Sequence, residues 1–560
     1  MSKIKIFKIK KSDQDILYSS FTNNLQITSP QTYFPILSLY FDFNNNYSTK
    51  CYTLKSQYLI SEIKDRIDVN DNDINYIKRL YNANIKNLKT KEVSESQVFI
   101  KLNPILDVIQ YMMELYKTDN NSLPNIYNYL TNKKINSRNN SSYIDAFSCF
   151  INSRLVELNM CPTFPLFYGT FSGISEEFDF NIAEEYSSMK KESWFNKNNH
   201  LFEVVKKEND YFSFSEDSDN EYDSENIGED LILDNIPDRN IKKISDSINL
   251  NIENSTSDSE NDENDENDEN DENNENNENN ENESESENND NSNLWEDVSD
   301  SEISNIEIDS NSELFDNESI NSDNLKFTQF SRLKNFPVQI ICMENCEKTL
   351  DQLIENKKYN LSETEWKSIL FQICFGLSVT QKHFNFVHND LHSSNIMLKD
   401  TNIETLYFHI NGNFYRIPTF NKITKIIDFG RATFNIDRNI FFSDVFSKKG
   451  DAEGQYSFPY HNSFKNCRVR PNLSFDLARL SSTIIEHFEE DTEIWNFLIQ
   501  MLTDKYGICY VNHPDDFDLY RKIAKNINSA IPKNQFKKSF FNEFIVNKNQ
   551  IPSSSHIYYY

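Results

Sequence analysis

Phe386-Val-His-Asn-Asp-Leu-His-Ser-Ser-Asn-Ile-Met-Leu398, followed downstream by Ile426-Ile-Asp-Phe-Gly430, decides the fold of this chain. The first stretch carries Asp390 and, five positions on, Asn395; the second carries Asp428 at the end of the apolar run Thr424-Lys-Ile-Ile427. A carboxylate can orient a hydroxyl and accept its proton, while an amide oxygen and a second carboxylate are donors that a hard divalent cation prefers. Just upstream, Ser362-Glu-Thr-Glu365 is a capping box. It opens a helix whose apolar face is Trp366, Ile369, Leu370, Ile373 and Leu377, ending near His383. Between the two stretches, Tyr407 to Ile417 sets Asn-Gly between alternating apolar residues, a hairpin signal that accounts for the 33 positions from Asn395 to Asp428.

Farther out, Ser96-Gln-Val-Phe-Ile-Lys-Leu102 is a β-rich run. Ile144, Phe147, Ile151, Leu155 and Leu158 repeat at helical spacing over 142–158, and Pro162 stops that helix. Pro165 to Phe171 and Pro337 to Met343 read as strands. Residues 1–90 mix strand-like runs, Met1 to Lys11 and Tyr33 to Phe41, with a helical candidate from Asp73 to Tyr81, and carry no functional signal.

The net charge of −32 is unevenly placed. Glu216 to Asp323 holds 39 acidic residues against Arg239, Lys242 and Lys243, a local −36, so the rest of the chain carries +4. Bulk charge therefore gives no indication of nucleic-acid binding. Residues 213–325 are of low complexity, built on Asn-Asp-Glu triplets, and too poor in apolar residues to offset the entropy of ordering; a disordered insertion is expected, either a tolerated expansion or an acidic tether for a basic partner. The eight cysteines form no Cys-x-x-Cys pair, and the start of the chain lacks the apolar core of a signal peptide, which predicts a reducing intracellular compartment. No run approaches the 18 or so apolar residues of a membrane span, so no membrane association is expected.

The spacing from His388 to Asn395, set after an amphipathic helix and ahead of Asp428-Phe-Gly430, resembles the protein kinases. The resemblance covers about residues 91–205 and 326–530 and is greatest to the serine/threonine protein kinases of giant DNA viruses, which Tyr143-Ile-Asp-Ala-Phe147 and Phe446 to Tyr456 also resemble. It implies a two-lobed α+β fold and transfer of the ATP γ-phosphate, with Mg²⁺, to the hydroxyl of a protein substrate; for a viral protein the compartment would be the host cytoplasm or the virion. Asp390 would be the base and Asn395 and Asp428 the metal ligands. Lys101, in Val98-Phe-Ile-Lys, would pair with nucleotide phosphates and with a helix carboxylate, Asp145 or Glu157; the last-turn position of Glu157 opposes the helix dipole and favours Asp145. Met343 to Leu350 would join the lobes and bond adenine through the backbone of Glu344 and Cys346. His388, Phe429 and Gly430 would support the loop. Asp476 is either a bond acceptor for the backbone of that loop or an ordinary N-terminal helix carboxylate.

Three features depart from the kinase pattern. No glycine precedes Gly169, so the segment from Asn87 to Ser96 is expected to stand as a glycine-free phosphate cover. His388-Asn-Asp390 lacks the usual Arg, so activation by loop phosphorylation is not expected. His392 stands where serine/threonine kinases usually have Lys, and no clear Ala-Pro-Glu follows Gly430. A small-molecule phosphotransferase and a catalytically weak pseudokinase scaffold are therefore the rival readings. The expected organisation is an N-terminal extension of unknown role (1–90) that either stands apart or belongs to the small lobe, a small lobe (91–212 and 326–345) interrupted by the acidic insertion (213–325), a large lobe (346–540) and a flexible tail (541–560).

Overall fold

A computed structural model of the chain describes residues 4–43, 51–67, 79–116, 123–126, 133–208, 327–355, 361–448, 450–456 and 470–560. The acidic insertion, with Arg239, Lys242 and Lys243, lies outside the described residues.

A seven-stranded antiparallel sheet forms one layer. In chain order the elements are α1 (Lys11–Leu25), β1 (Ile27–Gln31), β2 (Tyr58–Arg66), β3 (Leu80–Asn87), β4 (Val93–Pro104), α2 (Ser141–Glu157), β5 (Phe167–Asn181), β6 (Phe202–Glu208) and β7 (Phe327–Glu344). The strand order is β1-β5-β7-β4-β3-β2, with β6 also paired to β7. Of the two alternatives for residues before 90, the sheet supports the second: β1, β2 and β3 are built into the sheet that holds Lys101. Two local readings are corrected. Tyr33 to Phe41 contains a 3₁₀ turn at Pro35–Leu39 in place of a strand, because Pro35 fixes φ and removes a donor. Leu80 and Tyr81, read as the end of a helix, begin β3, where Leu80 pairs with Phe99.

The same ladder corrects the expected phosphate cover. Asn87 and Val93 bound the tight turn between β3 and β4, and Lys86 pairs with Val93, whereas Leu80 pairs with Phe99 close to Lys101. The turn at 88–92 therefore lies at the opposite end of the sheet from Lys101. The connection on the Lys101 side runs from Ile67 to Arg79, also without glycine; residues 68–78 lie outside the described residues.

Helix α2 packs on β5 and β7 and is buried on almost every side, including Ile144, Phe147, Ile151 and Leu155. Asn140 caps it by accepting the Ser142 N–H at 3.0 Å.

The second layer is mainly helical, around α3 (Glu363–Phe384), whose capping box is formed by Ser362 and Glu365. Strands β8 (Ile396–Asp400), β9 (Thr405–Ile410), β10 (Asn413–Pro418) and β11 (Lys422–Ile426) follow. The expected hairpin is β9–β10, turned by Asn411 and Gly412 at φ 50° and 87°. Strands β12 (Thr433–Ile436) and β13 (Asn439–Phe442) form a second hairpin, followed by α4 (Phe475–Ile484), α5 (Glu493–Leu502) and α6 (Asp516–Asn526). The last residues are not a loose tail. β14 (Ile545–Val546) pairs with β10 and β15 (Ile557–Tyr559) pairs in parallel with β9. Phe408 and Tyr558 stack there at 5.3 Å, burial that a polar-flanked Tyr-Tyr-Tyr terminus gave little sign of. Among the described residues no helix is long and apolar enough to cross a membrane.

Glu208 pairs with Phe327 in the β6–β7 ladder, so residues 209–326 leave and rejoin the sheet at neighbouring points. On the expectation from composition that the insertion is disordered, loop closure costs about 0.6 kcal/mol for each doubling of length, so replacing 209–326 with a turn of about four residues is expected to stabilise the protein by up to about 3 kcal/mol. A thermal midpoint below that of the full chain would refute this.

Candidate active site

The site forms where β4, α2, the 386–398 loop and the end of β11 meet. Lys101 Nζ lies 2.7 Å from Asp145 Oδ2 and 2.9 Å from Asp428 Oδ1. Asp145 is buried and takes three further contacts: Asn103 Nδ2 donates to Oδ2 at 2.7 Å, the Phe429 N–H donates to Oδ1 at 2.9 Å, and Cys149 Sγ lies 3.7 Å from Oδ1. Glu157, the other helix carboxylate, faces away: it accepts the Gln57 N–H at 2.9 Å and pairs with Arg154. Burial opposes the charge on Lys101, but Asp145 and Asp428 outweigh it and push its pKa up. Burial likewise opposes ionisation of Asp428, yet the Lys101 ammonium and the Gly430 N–H hold its carboxyl down to about 2.

Asp428 has φ 64°, a left-handed backbone that costs a non-glycine residue about 1–2 kcal/mol. The neighbouring packing compensates: Phe429 is fully buried against His388 at 5.4 Å, Phe386 at 5.8 Å and Phe164 at 6.2 Å. At Gly430 a Cβ would meet only Asp428 Oδ1, at 3.7 Å, so no steric demand for glycine is visible there.

The catalytic-type loop is held from behind. Asp476, near the start of α4, accepts the N–H groups of His388 at 2.9 Å and Asn389 at 3.0 Å. Burial pushes its carboxyl up, against the opposing pull of His388 and those two donors. His388 Nε2 bonds the Ile427 carbonyl at 2.8 Å, tying the loop to the residue before Asp428. Asp351 accepts Ser393 Oγ at 2.7 Å and Ser394 Oγ at 3.2 Å.

Asn395 Nδ2 donates to the Asp390 carbonyl and to His392 Nε2, each at 2.9 Å, which turns Oδ1 the other way. The bond to His392 requires Nε2 to be its bare nitrogen, in accord with burial, which lowers the pKa of that ring despite Asp390. Ile396 pairs with Ile426 and the Ile427 N–H donates to the Asn395 carbonyl at 3.1 Å, so Asn395 and Asp428 are adjacent. Two oxygen donors from the protein suit Mg²⁺, which keeps waters and takes phosphate oxygens as further ligands. No cluster of three or more His, Cys, Asp or Glu able to hold a metal occurs among the described residues.

Asn389 stands where kinases usually have Arg, and it is fully buried. Its Nδ2 donates to the Arg431 carbonyl at 2.9 Å, and its Oδ1 accepts the Tyr456 hydroxyl at 2.7 Å. A neutral cross-link thus occupies the place of a phosphate-reading cation. The β12–β13 hairpin packs Phe434 and Phe441 on Phe147 of α2, at 5.9 and 5.3 Å. Asp444 accepts the Ser141 N–H at 3.1 Å and pairs with Lys134 at 2.6 Å, fixing the N-terminus of α2.

Between the lobes, the Glu344 N–H is donated to the Leu166 carbonyl. Its side chain pairs with Lys425 at 3.2 Å and Lys399 at 3.5 Å, which lowers its pKa against the effect of burial. The Glu347 N–H is donated to the Leu398 carbonyl; no main-chain bond among the described residues uses the Cys346 N–H.

Sequence reasoning missed Asn103, Asp351, Asn389 and Tyr520. Asn103 had a signal, lying two residues from Lys101 on the same strand face. Tyr520 had none: its hydroxyl donates to Asp390 Oδ1 at 2.6 Å from 130 positions away.

No family model matches the chain. It is 34% identical over 121 residues to the serine/threonine-protein kinase haspin of Mus musculus, which spans 20% of this chain and 16% of that protein. It is 29% identical over 116 residues to a probable serine/threonine-protein kinase of Dictyostelium discoideum, covering 20% and 9% respectively. The haspin homolog of Arabidopsis thaliana matches at 36% over 102 residues, 17% of each chain. These stretches span less than a fifth of the relatives' lengths. A solved kinase-domain crystal structure aligns over 39% of this chain and 70% of its own at 17% identity, with a TM-score of 0.18. Over these stretches the chain is similar to haspin-type serine/threonine protein kinases.

Proposed function

We propose that the chain is an ATP-dependent serine/threonine protein kinase. The observation that carries this reading is the position of Lys101 between Asp145 and Asp428, with Asn395 and Asp390 on the adjoining loop. Lys101 would bind the nucleotide phosphates, and the backbone around Cys346 would bond adenine. Asn395 and Asp428 would hold Mg²⁺, which neutralises charge developing on the phosphates. Asp390 would orient the acceptor hydroxyl and take its proton as the hydroxyl oxygen bonds the γ-phosphorus and the bond to the β-phosphate oxygen breaks, releasing ADP.

The test is Mg²⁺-dependent transfer from labelled ATP by wild type, Asp390→Ala and Asp428→Ala, with a protein mixture, and separately choline and an amino sugar, as acceptors. Transfer to protein by wild type alone is expected. Equal label in all three proteins would refute the enzyme reading, and transfer only to the small alcohols would refute the protein acceptor.

A further inference from the structure

We infer that Tyr520, on α6, is a positioning residue for the base Asp390: it fixes one carboxylate oxygen so that the other is presented to the acceptor hydroxyl. This rests on the phosphotransferase reading of the site.

Asp390 Oδ1 accepts the Tyr520 hydroxyl at 2.6 Å and lies 3.5 Å from Arg431 Nη1. One hydrogen bond and one ion-pair contact therefore converge on Oδ1, whereas neither engages Oδ2, the oxygen we assign to the acceptor hydroxyl. Within the loop, donors are committed elsewhere: Asn395 Nδ2 bonds the Asp390 carbonyl, and His392 is bonded to Asn395. The position that usually carries Lys thus supplies no side-chain bond to Asp390, and α6 supplies one from outside.

The phenol is itself held in place. Arg479 Cζ stands 4.7 Å from the ring centroid, Arg431 Cζ stands 5.8 Å from it, and Phe475 packs at 5.7 Å. Two guanidiniums over one ring favour a single orientation. Burial, then the charge of Asp390, push the phenol up to about 12, so at neutral pH it remains a donor.

A rival geometry is that the hydroxyl occupies the acceptor's own place and blocks it. The two make opposite predictions. If Tyr520 positions Asp390, Tyr520→Phe in the full chain lowers kcat by about 10- to 100-fold and leaves KM for ATP within about twofold, since no ATP contact is removed. Tyr520→His, which keeps a ring N–H, recovers part of that loss. Adding Tyr520→Phe to Asp390→Asn slows the enzyme no further, because residues acting through one group are not additive. An unchanged or raised kcat for Tyr520→Phe overturns the inference, as does an equal further loss in the Asp390→Asn background. A wild type without transfer sinks the kinase reading and this role with it, whereas an active wild type with an equally active Tyr520→Phe sinks only this role.

Discussion

Replacing Asp428 by Asn is expected to remove nearly all phosphoryl transfer while leaving the fold in place. A metal ion at a transferring phosphoryl group supplies several kcal/mol of transition-state stabilisation, and about 4 kcal/mol corresponds to about a thousandfold in rate. The amide keeps the volume and one oxygen but forfeits the charge that favours a hard cation. Stability should change little near neutral pH, because the Asp428 side chain is 48% exposed and Lys101 keeps Asp145. The pH dependence has a definite sign. Asp428 titrates near 2 in the folded protein, below the ordinary carboxylate value of about 3.9, so its contribution is fully present above about 3.9 and is lost as pH falls toward 2. The difference in stability between wild type and Asp428→Asn should therefore be small above that window, as at neutral pH, and vanish below it. Retention of a tenth or more of wild-type turnover by Asp428→Asn would be incompatible with its metal-binding role.

The second large effect is on Asp145. Asp145→Asn cannot satisfy the Lys101, Asn103 and Phe429 donors together, because an amide offers one acceptor oxygen where the carboxylate offers two. Removing one partner of a buried ion pair costs about 3–5 kcal/mol. The lower end applies, because Lys101 is 23% exposed and retains Asp428. A fall of about 3 kcal/mol in urea unfolding, with transfer reduced in parallel, is expected. Glu157→Gln is the control: its partners are Gln57 and Arg154, far in the fold from the nucleotide side chains, so transfer should persist. Equal transfer by the two variants would refute the assignment of Asp145.

These contacts show which parts of the site could be read from sequence. Local rules found α3 through its capping box, the β9–β10 turn through Asn411-Gly412, and the choice of Asp145 over Glu157 through the helix dipole. Each depends on residues close together in the chain. The small-lobe strands before residue 90 escaped because Leu80 to Asn87 alternates apolar with Asn and Lys, a pattern whose meaning comes from pairing with β4. That omission displaced the expected phosphate cover by one strand connection. The contacts of Tyr520 with Asp390, and of Tyr558 with Phe408, join segments more than a hundred residues apart, and no local spacing encodes them.

The shared pairing of Lys101 has a thermodynamic consequence. In this state its ammonium is divided between buried Asp145 and half-exposed Asp428, the carboxylate assigned to the cation under the proposed function. When Lys101 turns to a phosphate, Asp428 gives up its counter-charge and gains affinity for a cation. Under the proposed function, binding of nucleotide and of divalent cation would then be positively cooperative, and linkage would require each to tighten the other by the same factor. Lys101 would be the element through which that cooperativity passes, and Lys101→Met should leave the two ligands to bind with little regard for one another beyond their direct contact.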